Sequence, residues 1–269
     1  MTNCKTERHT TRTILSVRWV DDMNYDPAFY LAQQEGSLQS AREVVPLIVA
    51  ACSPRSVADV GCGVGTWAAT FIENGVADVT GFDGNYVQRD MLKIPADHFE
   101  VADLTQPLVA RRPFDVALCV EVAEHLPAIS AGTLVESLTR LAPVVVFSAA
   151  IPFQGGTEHV NEQWPSYWAA LFKSRGYMVV DALRPLVWRN EKIEPFYRQN
   201  LIVFVKAERL YDYPQLMEAR QQTREEMLDL VHPRSYVGRN SYPMGPISTL
   251  LTWILKRGCG CLKRSVRVL

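Results

Sequence analysis

The sequence predicts an α/β protein built around one twisted, mostly parallel sheet. Three observations carry that expectation. Seven short β-rich runs recur through the middle of the chain, helical stretches separate most of them, and the last two runs are joined without a clear helix. Strands alternating with helices indicate parallel strands covered on both faces, whereas two consecutive strands lacking a crossover helix should pair antiparallel.

The strand candidates are SVADV (56–60), DVTGF (78–82), HFEVA (98–102), FDVALCV (114–120), VVVFSA (144–149), YMVVDA (177–182) and NLIVFVKA (200–207). Helical patterns occupy 65–74, 85–93, 130–141 and 161–175. The connection RPLVWRNEKIEPFYRQ before the last strand carries Pro185 and Pro195 and only a weak helical pattern. Upstream, Phe29, Leu38, Val45, Leu47 and Ile48 recur at helix-like intervals with an interruption at Glu35-Gly36, which predicts two helices between Pro27 and Cys52. The expected layout is a loose polar arm at 1–24, a main domain with its N-terminal helices at 25–207, a polar helix and linker at 208–246, and an amphipathic basic tail at 247–269.

Composition narrows the function classes. At 269 residues and 48% apolar content, the chain can bury one sizeable core with extensions to spare. Its net charge is −1, from 28 basic and 29 acidic residues. Five of those basic residues and no acid lie in 247–269, which leaves 23 against 29, or −6, in residues 1–246. A mildly acidic body argues against a grip on extended nucleic acid. The cysteines at 4, 52, 62, 119, 259 and 261 form no CxxC pair, and the start MTNCKTERHTTR has no secretory apolar core, so a cytoplasmic protein with reduced thiols is expected. No apolar run approaches the roughly 20 residues that a bilayer-spanning helix needs.

SVADVGCGVGTWAATF places a strand, then Gly61, Gly63 and Gly65, then a helix. Glycines at such a turn let the backbone approach a ligand, and the helix start offers free N–H groups. A dinucleotide fingerprint can be matched through Gly63, Gly65 and Ala68, with Asp83 about 20 residues on. A better frame is DVGCGVGTW, an acid followed by GxGxG. It resembles the first motif of class I S-adenosylmethionine-dependent methyltransferases. GFDGNY with Asp83, VADLTQP with Asp103 and FDVALCVEVAEHLP follow in the order of that family's later motifs, over about residues 55–206.

The resemblance implies a Rossmann-like seven-stranded sheet of order 3-2-1-4-5-7-6, with strand 7 antiparallel and helices on both faces. It also implies S-adenosyl-L-methionine (SAM) as cofactor and a set of ligand roles. Asp59 and the backbone at Gly61 and Gly63 would face its methionine end, and Gly65 would belong to the same cofactor-binding bend. Asp83 would accept the ribose hydroxyls, and Asp103 with the Leu104 N–H would meet adenine. Asp83 and Asp103 could instead cap turns at strand ends.

CVEVAEHLP ends a core strand with two acids and an imidazole. On a helical turn, Glu121, Glu124 and His125 stand at i, i+3 and i+4 and share one face. His159, in GGTEHVNEQW after the fifth strand, lies on the same rim and completes a candidate metal set of Glu121, Glu124, His125 and His159. This pattern is similar to that of ubiquinone-pathway O-methyltransferases and small-RNA 3′-end 2′-O-methyltransferases. Mixed oxygen and nitrogen ligands suit Mn, Fe or Zn and, less well, Mg. Without an ion, His159 or His125 would be the general base. Trp164, Tyr167, Trp168, Leu171 and Phe172 follow at helical spacing and are expected in the core.

In the tail, Ile247, Leu250, Leu251, Ile254 and Leu255 form one helical face ahead of Lys256, Arg257, Lys263, Arg264 and Arg267. Such a segment suits either peripheral contact with an anionic membrane or docking on protein. The expected activity is methyl transfer from SAM to a hydroxyl of a small molecule or a sugar or glycan. Methylation of nitrogen or of an RNA terminal 2′-hydroxyl, and a catalytically silent cofactor-binding subunit, are the alternatives.

Overall fold

The structure, a computed structural model, describes residues 27–240, with side chains over 35–237. The arm expected at 1–24 and the basic tail expected at 247–269 lie outside the described residues.

Seven strands form one sheet: β1 (Ser56–Val60), β2 (Asp78–Asp83), β3 (Phe99–Val101), β4 (Val116–Val120), β5 (Val144–Ser148), β6 (Tyr177–Val180) and β7 (Ile202–Lys206). Their spatial order is β3-β2-β1-β4-β5-β7-β6, as the sequence implies. β1 runs parallel to β2 and β4, β2 to β3 and β4 to β5, whereas β7 pairs antiparallel with both β5 and β6. β1, β4 and β5 are buried along their whole length, as central strands covered on both faces must be.

The helices are α1 (Pro27–Cys52), α2 (Thr66–Glu73), α3 (Ala131–Leu141), α4 (Pro165–Ser174), α5 (Arg184–Val187), α6 (Pro195–Asn200), α7 (Pro214–Gln222) and α8 (Pro233–Asn240). One core holds Val44, Ile48 and Phe71 from α1 and α2 together with Leu216 of α7. On the opposite side, Leu134 and Leu138 of α3 pack with Trp168 and Phe172 of α4. Phe172 stacks on Phe204 at 3.9 Å, so the aromatic stripe expected after His159 does enter the core.

Three expectations need correction. The two helices expected upstream of the sheet are one continuous helix, α1, which runs through Gly36 and Pro46. An interior glycine costs a helix about 1 kcal/mol, less than is gained by burying Ala41, Val44, Val45 and Ile48 at i, i+3, i+4 and i+7. The helix expected at 85–93 is only a 3₁₀ turn at Arg89–Met91. There Lys93 N–H donates to the Val64 carbonyl at 2.8 Å, which ties the segment to the glycine loop and leaves Val87 and Ile94 in the core.

The third concerns the C-terminal side of the domain. The polar helix expected there is shorter, α7 flanked by 3₁₀ turns, and residues 233–240 of the expected linker form α8. His232 is buried, with Nε2 3.0 Å from the Trp188 carbonyl. No helix among the described residues is long and apolar enough to cross a membrane.

Candidate active site

A cleft of ≈ 460 Å³ opens beyond the carboxyl ends of β1 and β4. Its lining brings together Asp59, Gly61 and Gly63 at one end and Glu121, Glu124, His125 and His159 at the other. Residues 60 to 100 positions apart in sequence thus share one cavity.

The glycine bend has a specific conformational reason at two positions. Gly61 has φ +77°, and a Cβ there would lie 2.3 Å from Val122 Cγ2. Gly63 has φ +53° but faces open space, with nothing within 4 Å of a Cβ position. Gly61 is fixed by packing against the protein itself. Gly63 leaves its backbone bare where a ligand can approach. Gly65 precedes α2 and is not among the cleft-lining residues.

The acids at this end are already engaged. Asp59, 1% exposed, accepts the Ala68 N–H at 3.1 Å. Burial raises its pKa to about 7, against that hydrogen bond and with a smaller push from Asp83. Asp83, 4% exposed, accepts Gly63 N–H on Oδ2 at 2.6 Å, and Gly84 N–H (2.7 Å) and the Tyr86 hydroxyl on Oδ1. Burial raises its pKa too, opposed by these donors. Tyr86 thus sits where the sequence reading places a ribose. Asp103 is exposed and caps its own turn, Oδ1 accepting Thr105 N–H at 2.9 Å and the Thr105 hydroxyl at 2.7 Å. Leu104 is buried, and none of Asp83, Asp103 and Leu104 is among the cleft-lining residues.

The opposite end is built differently. Glu121 ends β4 at φ +52°, its N–H donating to the Ser148 carbonyl at 3.0 Å, and a 3₁₀ turn at Ala123–His125 follows. The α-helical turn expected for this motif does not form, because the chain reverses at Glu121 to stay paired to β5. Glu121 consequently points its carboxylate to Gln154 Nε2 (3.0 Å) and Asn200 Nδ2 (3.2 Å).

Glu124, His125 and His159 do converge: one ligating atom from each lies within 4.8 Å of the others. The two imidazoles meet edge to face at 4.9 Å. Glu124 is fully buried, and among the described residues neither of its oxygens makes a well-formed hydrogen bond, although the Ala150 N–H and the Glu121 carboxyl lie close enough to act on it; His125 Nδ1 is also unpartnered there. Burial, reinforced by the charge of Glu121, raises the Glu124 pKa well above the carboxylate range. Burial, with a smaller effect from His159, lowers that of His125 to about 4. Each group disfavours its charged form as it stands, the state that an added cation would reverse for the carboxylate. The donor set of one carboxylate and two imidazoles fits a divalent transition metal.

Several partners had no clear sequence signal. Glu162 Oε1 holds His159 Nδ1 at 3.0 Å and accepts the Gly155 N–H at 2.6 Å, which orients the imidazole as carboxylates orient metal-binding histidines. Its i+3 spacing from His159 is the one available clue. Gln154 and Asn200, which hold Glu121, come from a loop and from α6, and no local pattern connects them. Val160 and Asn161 N–H both donate to the Glu124 carbonyl, at 2.8 and 3.0 Å, and so bring the His159 loop against the turn.

A family model described as a methyltransferase domain matches residues 33–182, more than half the chain. The chain belongs to this methyltransferase domain family. It is a class I SAM-dependent methyltransferase, and the sheet order above is that of the fold. Among solved structures, the methyltransferase resembles the sugar N-methyltransferase KedS8 from Streptoalloteichus sp ATCC 53650, with TM-score 0.53 and 16% identity over 77% of this chain and 98% of that one. It also resembles the magnesium protoporphyrin IX methyltransferase ChlM from Synechocystis PCC 6803, with TM-score 0.50 and 18% identity over 66% and 87%. At these identities the likeness is one of fold. No curated protein matches the methyltransferase significantly in sequence.

Proposed function

We propose that this methyltransferase transfers the SAM methyl group to a hydroxyl of a small molecule or sugar, and that a divalent metal at Glu124, His125 and His159 binds that hydroxyl. The observation that carries this reading is Glu124: a fully buried carboxylate with no well-formed hydrogen bond among the described residues, beside a second acid and facing two imidazoles. A buried unpaired acid is costly unless something arrives to pair with it.

On this reading the bend at Asp59, Gly61 and Gly63 takes the methionine end of the cofactor, and Asp83 takes the ribose once the Tyr86 hydroxyl moves aside. Asp103 and Leu104 remain the adenine candidates, although neither lines the cleft. The cofactor supplies an electrophilic methyl, so the protein's task is to aim and deprotonate an alcohol. When bound, the ion would lower the alcohol's pKa. His125 is better suited to be a ligand than a base, because a group with a pKa near 4 holds a proton poorly at neutral pH. Glu162 holds Nδ1 of His159 and leaves Nε2 to face the site. Glu121, clamped by Gln154 and Asn200, adds negative charge beside Glu124 and lies outside the convergent set of ligating atoms.

Metal analysis of purified protein and radiolabelled methyl transfer into a host extract test the reading. Chelation should abolish labelling and Mn²⁺ should restore it. Labelling indifferent to chelator would remove the metal, and labelled product on nitrogen would replace the hydroxyl acceptor with an amine.

A further inference from the structure

The cleft has a third wall, built from α1 and α6. Gly36, Ser37, Trp67, Glu194, Phe196 and Tyr197 line it. Among the described residues lining the whole cleft there are four carboxylates, Asp59, Glu121, Glu124 and Glu194, and no lysine or arginine. Three of the four are accounted for above: Asp59 on the Ala68 amide, Glu121 on Gln154 and Asn200, and Glu124 opposite the histidines.

Glu194 is different. Its backbone is fixed, the N–H donating to Ser40 Oγ at 3.0 Å and the carbonyl accepting Arg198 N–H at 3.2 Å. Its carboxylate makes no hydrogen bond or ion pair with any described residue. Arg198 feels its charge without pairing to it. The side chain is half-buried and lies against the backbone of α1, where a Cβ on Gly36 would come within 2.5 Å of Oε1. A glycine inside a helix is a poor choice for stability, and here it makes room for that carboxylate. Beside it, Tyr197 packs edge-on to Trp67 at 5.1 Å and against Phe196 at 4.5 Å. Ser37 Oγ takes the Trp67 Nε1–H at 3.2 Å, which fixes this aromatic wall.

We propose that Glu194 binds the methyl acceptor: its carboxylate receives an O–H or N–H donor, and the cleft admits donor-rich, uncharged or cationic acceptors while refusing those that carry phosphate or carboxylate. A carboxylate can only accept hydrogen bonds, so the complementary group must donate. An anionic group placed at Glu194 would meet an unpaired negative charge, with no guanidinium or ammonium on the walls to offset it and the proposed ion engaged by the reacting hydroxyl. The aromatic faces suit the C–H face of a sugar ring or a protonated amine. The inference rests on the proposed function only in assigning this part of the cleft to the acceptor.

Binding of three probes to the S-adenosylhomocysteine-loaded full-length protein tests it by saturation-transfer NMR and titration: methyl glucoside, methyl glucosaminide and glucose 6-phosphate, each with and without chelator. The first or second should bind and the phosphate should not, and the stronger of the two identifies the donor as hydroxyl or ammonium. Glu194→Gln should weaken that binding by about tenfold or more, the usual effect of losing a charged hydrogen-bond partner. Gly36→Ala, which pushes the carboxylate aside without removing it, should weaken it less, and both variants should keep wild-type affinity for S-adenosylhomocysteine.

Equal or tighter binding of the phosphate, no binding of any probe, or probe binding indifferent to Glu194→Gln would each overturn the proposal. So would a loss of S-adenosylhomocysteine affinity in Glu194→Gln, which would assign the carboxylate to the cofactor's ammonium. Methyl transfer that ignores chelator would remove the metal and leave a Glu194-dependent probe signal standing, so the two readings fail separately.

Discussion

The two ends of the cleft differ in how their buried acids are satisfied. At the glycine bend, Asp59 and Asp83 both accept protein hydrogen bonds before any ligand arrives. At the turn after β4, Glu124 is as deeply buried and has no well-formed one among the described residues. The fold can hold the first end in shape by itself, with a single side chain, Tyr86, standing in for a ligand group. The second end is left electrostatically incomplete by the fold. On the proposed reading, the cofactor half of the site is therefore preorganised, while the catalytic half depends on the ion.

Removing the incomplete end should have the largest effect. Glu124→Ala or His159→Ala should reduce methyl transfer on the order of 10³-fold if the ion positions and activates the acceptor, with S-adenosylhomocysteine affinity unchanged by calorimetry. A parallel loss of cofactor affinity would mean the two ends are not separable. The same contrast predicts a gain: Glu124→Met replaces a buried polar group lacking good partners by an apolar side chain of similar length and should stabilise the ion-free protein by roughly 1 kcal/mol, read as a higher Tm. A lower Tm would show that the carboxylate is satisfied after all.

At the preorganised end, Gly63→Ala should cost cofactor affinity about tenfold with little loss of fold, because a Cβ there meets no protein atom and only the positive φ and the ligand would resist it. A Kd unchanged from wild type would place the cofactor away from the bend.

Acidity offers a milder probe of the same region. In the cofactor-free protein Asp59 holds a proton up to about pH 7. The folded state therefore binds a proton that the unfolded chain has released between roughly pH 4 and 7, and the stability this gives at low pH is lost as pH rises through that window. Cofactor binding should follow the opposite course, because the methionine ammonium prefers the carboxylate. Affinity should improve up to about tenfold between pH 6 and 8, with proton release below pH 7 measurable in buffers of different ionisation enthalpy. A flat profile would detach Asp59 from the ammonium. The smallest effect belongs to Tyr86→Phe, which removes one of the two donors on Asp83 Oδ1 and should tighten cofactor binding by a few-fold.

Much of the fold was legible in the sequence because it is written locally. Each strand run lies within a few residues of its observed bounds, and the missing crossover before β7 foretold its antiparallel pairing. Where local signals compete with packing, they misled: Gly36 suggested a break that burial of one face of α1 overrides. The helical pattern at 85–93 likewise gave way to ties with the glycine loop. In the site, the E-x-x-E-H spacing identified the relevant residues but not their geometry. Glu121 adopts a left-handed conformation, and the motif splits into a clamped acid and an unpaired one.

By itself the sequence determined the strand positions, the glycine bend and the residue types gathered at the strand ends, since strand periodicity, turn chemistry and motif spacing are properties of short segments; the sheet order came from the family that those motifs resemble. Only the tertiary structure decided that His159 folds back onto Glu124 and His125, that Gln154 and Asn200 hold Glu121, and that Gly36 makes room for Glu194. Those pairings join segments far apart in the chain, and they exist because packing two layers of helices on one sheet brings its loops to a common rim, where desolvation shifts Asp59, Glu124 and His125 towards their neutral forms.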